Sequence, residues 1–339
     1  MSIKDLNIIK TIRTHSEPIN SLLICKNGNL VSTGLGRIIF YSKDNFEVIL
    51  RITEFKHIYI SHINELHIDN TFIFCHNGFI IFQTCERNKT YKVLFSFFER
   101  FLLHKSIEFD YINKLNNNIE YNIMISSIYG IYIFENNNKN KNINNNNNDN
   151  SMEYKLVKKI NDNEIVYNIF KLNNNCFIST SNSVLAGGNN CIRFWSYDDF
   201  TLIKTIQNLT CSPGTSSLVK YNDDILIVAL EKIQNYYSNK KNDLHDIVNI
   251  NGIALIDLKY IEIVQYIEMP NKIRSLLFAQ NGSLIAGSIF NIIQFKFIKG
   301  NFEIIGEKEL FNYINNVIVE YDKNCYIVGS NNKLILVLK

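Results

Sequence analysis

The sequence predicts an all-β fold, a seven-bladed β-propeller of four-stranded antiparallel blades, and three observations support this prediction. Short runs rich in Ile, Phe, Tyr and Val alternate with Asn, Gly, Asp and Ser, as strands alternate with turns. These runs recur in groups of four at a similar spacing. The two chain ends supply complementary parts of one such group. We therefore expect a single closed domain over residues 1–339.

The composition allows a large apolar core. Of the 339 residues, 46% are hydrophobic and 20% are charged, so most of the chain does not resemble a disordered polymer. The formal net charge is only +3, and the basic residues are scattered, so charge does not argue for nucleic-acid binding. The seven cysteines form no C-x-x-C pair, which favours buried, reduced thiols.

The repeats are visible as strings of four predicted strands. The first unit reads INSLLIC, GNLVSTG, RIIFYS and FEVILRIT, and the sixth repeats it as IRSLLFA, GSLIAGS, NIIQFKF and NFEIIGE. The leading strands of the seven units begin at Ile19, Ile63, Ile107, Val166, Leu218, Ile273 and Ile314. The intervals between them run from 41 to 59 residues, close to a blade period of about 40–45 residues with loop insertions.

The chain ends predict how the ring closes. The last unit supplies only three strands, INNVIVEY, CYIVGS and KLILVLK, whereas the chain begins with an extra strand, NIIKTIRT. If the amino-terminal strand pairs with the carboxy-terminal one, the seventh blade is complete. Main-chain hydrogen bonds then close the ring without an open junction.

Two segments resemble WD40 repeats. In IKTIRTHSEPINSLLICKNGNLVSTGLGRIIFYS, His15 stands where the family has its Gly-His dipeptide, and Tyr41-Ser42 stands where the Trp-Asp pair usually lies. In AGGNNCIRFWSYD, Trp195-Ser196 takes that place. The chain is thus similar to a divergent WD40 propeller. The similarity is clear in the first, fourth and sixth units and weak in the second, third and fifth.

The resemblance implies a set of structural side chains. In the family, a His, a Ser or Thr, an Asp and a Trp of one blade form a hydrogen-bonded network. Here the resemblance implies that at best His15 with Ser32 or Thr33 preserves it in blade one, where the Asp is missing. Tyr41 and Trp195 are the corresponding aromatic residues. We expect most blades to be held by hydrophobic packing.

Two insertions interrupt the repeats. Residues 136–150 include eleven asparagines and fall between the third and fourth strands of blade three, so we expect a disordered loop there. Residues 231–250 fall between the second and third strands of blade five. Neutral length drift explains both, since long surface insertions cost little folding free energy. The second also contains Tyr236 and Tyr237 and could order on a partner.

The sequence carries no signature of catalysis, of a cofactor or of a metal. P-loop, G-x-G-x-x-G, H-E-x-x-H and G-x-S-x-G motifs are absent, so we expect neither an enzyme nor a bound cofactor. His57, His62 and His67 imitate a metal cluster by count. Residues five apart on a regular strand point to opposite faces, however, so His62 and His67 cannot converge from one strand.

The predicted function is that of a non-catalytic scaffold or adaptor in an intracellular complex, with other proteins or peptides as partners. The alternative is an RNA-associated assembly factor in ribosome biogenesis, tRNA modification or splicing, which would contact nucleic acid within a complex. The candidate partner-binding residues lie on loops entering first strands and loops joining second to third strands. They are Ser16, Arg37, His57, Tyr59, Asn189, Tyr236, Tyr237, Asn271 and Arg274.

Further expectations concern charge and location. Arg37, Arg193 and Arg274 lie near predicted strand ends, where they could meet an acidic or phosphorylated peptide, although solvated rim residues are the simpler interpretation. The amino terminus has no apolar segment of signal-peptide length, and the sequence has no apolar run of membrane-spanning length. We expect a monomeric propeller in the cytoplasm or nucleus that does not insert into membranes.

Overall fold

The structure is a computed structural model that describes most of the chain. It describes residues 2–339 except 56–57, 77, 86–87, 99–102, 113–118, 137–152, 162–164, 174, 183–189, 208, 212–216, 234–250 and 311–314. Only the backbone is described at residues 98, 103–104, 106–112, 119–121, 161, 182, 210, 232–233 and 315–316.

Seven antiparallel sheets follow one another along the chain, as the repeats predict. Strand β1, Ile8–Ile12, precedes the first complete blade. Blade one consists of β2 (Ser21–Ile24), β3 (Leu30–Gly34), β4 (Arg37–Tyr41) and β5 (Val48–Ile52). Blade two consists of β6 (His62–Glu65), β7 (Thr71–Cys75), β8 (Gly78–Cys85) and β9 (Thr90–Phe98). Blade three consists of β10 (Leu103–Ile112), β11 (Ile119–Ser127), β12 (Gly130–Asn136) and β13 (Tyr154–Asn161).

The remaining blades continue the same order. Blade four consists of β14 (Ile165–Lys171), β15 (Cys176–Asn182), β16 (Cys191–Ser196) and β17 (Leu202–Gln207). Blade five consists of β18 (Leu209–Cys211), β19 (Leu218–Lys220), β20 (Ile225–Ile233), β21 (Asn251–Asp257) and β22 (Glu262–Met269). Blade six consists of β23 (Ile273–Phe278), β24 (Leu284–Ser288), β25 (Asn291–Ile298) and β26 (Asn301–Glu309). Blade seven contains β27 (Asn315–Asp322), β28 (Cys325–Ser330) and β29 (Ile335–Leu338).

The predicted closure of the ring is confirmed. Strand β1 pairs antiparallel with β29 and completes the seventh sheet, in the order β1-β29-β28-β27. The pairing continues past both strands, because Asn7 and Lys339 exchange two backbone hydrogen bonds of 3.0 Å. The amide of Ile19 also donates to the carbonyl of Ser330, at 3.2 Å, which ties the entry to blade one to blade seven.

The apolar core is divided among the contacts between blades. Among the residues that the structure describes, seven buried clusters each join two neighbouring blades, and the set includes the junction between blades seven and one. At that junction, Tyr41 of blade one packs in one cluster with Val317 and Ile327 of blade seven. At the next junction, Phe40 meets Phe72 edge to face with ring centroids 5.1 Å apart. Hydrophobic packing between blade faces therefore holds the ring together.

Blade five departs from the regular plan. The sequence predicts four strands, but the position of its first strand is shared by β18 and β19, which both pair with β20. The second insertion also begins later than the predicted residue 231, because β20 continues to Ile233.

The insertions and the amino terminus complete the architecture. The Asn-rich loop lies between β12 and β13, as predicted, and its residues 137–150 fall outside the described part. A short 3-10 turn at Ile3–Asp5 precedes β1, and Ile3 and Leu6 are buried in the cluster between blades six and seven. Within the described residues, no helix has both the length and the apolar character needed to cross a membrane.

Candidate functional site

The candidate site lies on one face of the ring. Because the strands of each blade alternate in direction, loops that enter first strands share a face with loops that join second to third strands. We call this the entry face. The first strands contact one another from blade to blade, as β2 does with β6 and β27, and so form the wall of the central channel.

Two loops of the entry face are joined by their backbones. Leu35, in the turn between β3 and β4, forms an isolated antiparallel bridge with Tyr59, in the loop leading to blade two. Beside it, the amide of Gly36 donates to the carbonyl of Ile58 at 2.7 Å. Leu35 and Tyr59 are nevertheless 36% and 54% exposed. The bridge therefore presents an apolar and an aromatic side chain to solvent on a fixed backbone.

The inner strands place side chains at seven equivalent positions near the channel mouth. The positions follow from the pairing of each first strand with its second strand. They are occupied by Ser21, His62, Lys105, Asn168, Ser217, Ser275 and Val317. Five of these residues are small or neutral and buried. Blades two and three instead carry basic residues, His62 and Lys105, on adjacent inner strands.

His62 and Lys105 are both only partly exposed to solvent. Burial lowers the pKa of Lys105 to about 8. Burial, aided by the positive charge of Lys105, lowers the pKa of His62 to about 3, so this imidazole is neutral at pH 7. The Nδ1 atom of His62 is shut off from solvent, and no group of the described residues forms a hydrogen bond with it.

Arg274 lies at a bulge in the inner strand of blade six. The pairing of β23 with β24 shifts register between Ile273 and Ser275, which leaves Arg274 as the extra residue. Its charge acts on Tyr59: although the side chain as a whole is 54% exposed, partial shielding of the phenol raises its pKa, and Arg274 opposes the rise. The positive charge of Arg274, on blade six, thus reaches the Tyr59 phenol on the loop between blades one and two.

An ion pair stands beside Arg274 on the entry face. The ammonium of Lys272 lies 3.3 Å from a carboxylate oxygen of Glu231, at the entry end of β20. The Glu231 side chain is 15% exposed. Lys272, which neutralises the Glu231 carboxylate, precedes the inner strand β23 and is not part of it.

Solved structures of other proteins share this architecture over nearly the whole chain. Sqt1 of Saccharomyces cerevisiae matches with a TM-score of 0.64 and 13% identity, covering 97% of this chain and 86% of that one. The WD40 domain of Pan2 from Neurospora crassa matches with a TM-score of 0.64 and 11% identity, covering 100% of this chain and 96% of that one. The chain has the WD40 propeller fold. No family model and no curated protein sequence matches it.

The propeller keeps a polar network in blade one, with a tyrosine where WD40 repeats usually have a tryptophan. The Nε2 atom of His15 lies 2.6 Å from the Ser32 hydroxyl, which in turn lies 3.1 Å from the Tyr41 hydroxyl. Tyr41 also hydrogen-bonds Thr14. Ser32, and not Thr33, is thus the partner of His15.

His15 is held neutral in the propeller. Burial lowers its pKa to about 4, and the charges of Arg37 and Arg51 act in the same direction. Its Nδ1 atom is buried, and none of the described residues hydrogen-bonds it. The missing bond to Nδ1 agrees with the absence of the network Asp from the sequence of blade one. Gly34 leaves room for the ring, since a β-carbon there would lie 3.0 Å from Nδ1 and 2.9 Å from the Pro18 carbonyl oxygen.

A second fragment of the network survives in blade four, which corrects the expectation that it is confined to blade one. The indole N–H of Trp195 donates to the Ser179 hydroxyl at 2.8 Å, and both residues are buried. Sequence spacing missed Ser179 because the turn between β15 and β16 is longer than its counterpart in blade one.

The predicted partner-binding residues fall into two groups. Ser16 and Tyr59 are exposed, and Arg37, Asn271 and Arg274 are partly buried, all on the entry face. Arg37 reaches back to the carbonyl of Thr14 at 3.5 Å. The other predicted residues, His57, Asn189, Tyr236 and Tyr237, lie outside the described residues.

Two further observations bear on chemistry. In the described part of the chain, no group of three or more His, Cys, Asp or Glu residues is arranged to hold a metal ion.

Arg193 does not extend freely from the face, because its guanidinium donates to the Ser181 hydroxyl at 3.0 Å.

Sequence reasoning missed Leu35 and Lys105 and treated His62 only as a false metal ligand. Leu35 becomes significant through its bridge to Tyr59, which pattern alone does not reveal. A basic residue at the start of a predicted inner strand was the available signal for Lys105 and His62.

Proposed function

We propose that this chain is a non-catalytic protein-interaction module that binds a peptide segment of its partner on the entry face. The observation that carries the proposal is the bridge between Leu35 and Tyr59. Apolar side chains that remain exposed on a rigid backbone lose little conformational entropy when a partner covers them. Tyrosine in particular offers a large contact area together with a polar hydroxyl.

The closed ring supports the same proposal. Its seven apolar clusters and the pairing of β1 with β29 make the disc a rigid support for loops. Loops on a rigid scaffold are common sites of recognition. WD40 propellers, whose fold this chain shares, are generally interaction scaffolds.

Partner capture by matched double variants tests the proposal. We expect Leu35→Ser with Tyr59→Ser to abolish recovery of the specific partners that the wild-type chain retains from native lysate. The control is Leu202→Ser with Ile203→Ser on outer strand β17, where the two side chains are 50% and 53% exposed. It removes a similar apolar area away from the entry face. Equal loss in both variants, or no loss in the first, would overturn the proposal.

A further inference from the structure

The outer strand of each blade carries a bulge at the same place. Where it pairs with the third strand of the blade, one extra residue interrupts the register, as Ile9 does in β1 and Ile305 in β26. The residue after the bulge then pairs with the third strand again. From blade one to blade seven, these post-bulge residues are Leu50, Phe95, Lys158, Lys204, Gln265, Gly306 and Lys10.

Six of the seven post-bulge side chains reach the next blade around the ring. Lys158 of blade three donates to the carbonyl of Asp199 in blade four, at 2.7 Å. The Gln265 side chain of blade five accepts from the amide of Phe302 in blade six, at 3.2 Å. Four others bond a backbone carbonyl of the next blade or pack in the cluster shared with it, namely Lys10, Lys204, Leu50 and Phe95.

Gly306 in blade six is the exception, because a glycine has no side chain to extend. The 3-10 turn at Ile3–Asp5 lies there instead, against β25 and β26. A β-carbon on Gly306 would lie 2.9 Å from the Oγ atom of Ser2 and 3.2 Å from the Cγ2 atom of Ile3. The glycine therefore leaves a groove between blades six and seven, and a short segment of chain fills it.

The third strand of blade six is adapted to the same segment. In the other six blades, the third-strand residue that pairs with the post-bulge residue is apolar. In blade six it is Gln294, which is only 3% exposed. Its Oε1 atom accepts from the amide of Ile3 at 2.9 Å, and its Nε2 atom donates to the Ser283 hydroxyl at 3.0 Å. Without the segment, a buried acceptor would lose this donor.

The bound segment shows which sequence the groove accepts. Side chains three residues apart lie on the same side of a 3-10 turn, and Ile3 and Leu6 are both buried. They pack in one cluster with Ile292 of blade six and Leu338 of blade seven. The two residues between them are exposed. The groove therefore contacts one backbone amide and two apolar side chains, in the pattern apolar-x-x-apolar.

None of these contacts requires the segment to be joined to β1, since a separate peptide can offer the same amide and the same two side chains. We propose that the groove between blades six and seven is a peptide-binding site for an apolar-x-x-apolar segment of a partner protein, and that residues 2–6 occupy it as an intramolecular ligand. The covalent link gives residues 2–6 a high effective concentration, so a partner segment replaces them only when it binds more tightly.

This site goes beyond the proposed function. It lies at the outer strand of blade six and not among the loops of the entry face.

Saturation-transfer-difference NMR with a synthetic peptide tests the inference. The probe is a capped peptide with the sequence of residues 2–7, SIKDLN. It is added to the full chain carrying Ile3→Ser with Leu6→Ser, which removes both apolar anchors of the resident segment. We expect saturation to pass from this open variant to the isoleucine and leucine methyl groups of the peptide. A peptide with serine at both places should bind at least about tenfold more weakly, because it buries no apolar side chain.

Further chains locate the binding in the groove. The wild-type chain, whose groove is occupied, should show little transfer. Adding Gly306→Val to the open variant should abolish the transfer, since the new side chain takes the space of Ser2 and Ile3. The matched control is Ile8→Ser with Ile9→Ser, at side chains of β1 that are 43% and 56% exposed. It leaves residues 2–6 in place and should behave like the wild-type chain.

Circular dichroism reports whether the open variant folds. If it does not, Ile3→Ser alone, which keeps the Leu6 anchor, replaces it and should also show transfer. Absence of transfer from a folded open variant, or transfer that Gly306→Val leaves unchanged, would overturn the inference. Neither result bears on partner capture through Leu35 and Tyr59, so the two proposals fail independently.

Discussion

Ser32 connects the buried polar groups of blade one. Its hydroxyl bonds both the His15 imidazole and the Tyr41 phenol, so one atom serves two partners. Removing a shared partner inside a core leaves groups that can no longer exchange hydrogen bonds with water. Loss of the Ser32 hydroxyl should therefore destabilise blade one more than the small size of this side chain suggests.

We expect Ser32→Ala to lower the free energy of unfolding by about 1–3 kcal/mol, the usual cost of an unsatisfied buried polar group. Urea unfolding followed by circular dichroism measures the change. Ser16→Ala, at an exposed serine of the entry face, is the matched control and should change stability by no more than about 0.5 kcal/mol. Equal midpoints for both variants would show that the network contributes nothing measurable.

The low pKa of His15 predicts how stability depends on pH. The folded state holds this pKa at about 4, whereas an unfolded histidine has a pKa of about 6.5. Between these values, the unfolded chain binds a proton that the folded chain does not. The contribution of a neutral His15 is therefore complete above pH 6.5 and is lost as the pH falls towards 4.

The corresponding variant is His15→Gln, which keeps a side chain able to bond Ser32. Between pH 6 and pH 4.5, its stability should fall less steeply than that of the wild-type chain, by up to about 1.4 kcal/mol per pH unit. Urea midpoints at several pH values give this difference. Parallel pH profiles would contradict the neutral, buried state of His15.

At the scale of single elements, β1 is the strand whose role depends on the whole ring. It is an outer strand, and Ile8 and Ile9 on it are exposed, so local apolar burial alone does not hold it. Three contacts hold β1 in place. Its main chain pairs with β29, Ile12 packs in the cluster between blades seven and one, and Ile3 and Leu6, which precede β1, pack in the cluster between blades six and seven.

Asn7→Pro removes one hydrogen bond of this closure, because the Asn7 amide donates to the Lys339 carbonyl at 3.0 Å. Leu6 already has the extended backbone that a residue before proline prefers, with φ −67° and ψ 137°. We expect a loss of about 1–2 kcal/mol in the free energy of unfolding, measured by urea unfolding. Asn7→Ala keeps the amide and is the control, and an equal loss in both variants would argue against a role for this bond.

The sequence predicts elements well where they depend on local pattern. Two leading strands begin at the predicted residues, Leu218 and Ile273, because an apolar run after a turn is a local signal. The division of the first strand in blade five escapes prediction, since β18 and β19 share a partner strand that lies later in the chain. The pairing of β18 and β19 depends on their register against β20, which the local sequence pattern does not specify.

The candidate site was predicted only in part, for the same reason. Tyr59 and Arg274 follow from loop position, which repeats reveal. Lys105 reaches its position because the pairing of β10 with β11 shifts between Leu103 and Lys105, and one sequence does not show where such a bulge occurs. The partnership of Leu35 with Tyr59 requires two loops of different blades to meet.

At the scale of the whole molecule, every surface argument depends on closure of the ring. The entry face exists because seven blades alternate their strands around one channel. The seventh blade uses both ends of the chain. An open arrangement would separate Tyr59 from Arg274 and leave β29 with an unpaired edge.

Amide hydrogen exchange of the intact chain, resolved over residues 8–12, tests this closure most directly. An amino-terminal segment paired with β29 should show slow exchange, comparable to that of outer strand β5 at Val48–Ile52. Exchange of residues 8–12 at the rate of an unstructured peptide, with β5 still protected, would contradict the closed propeller.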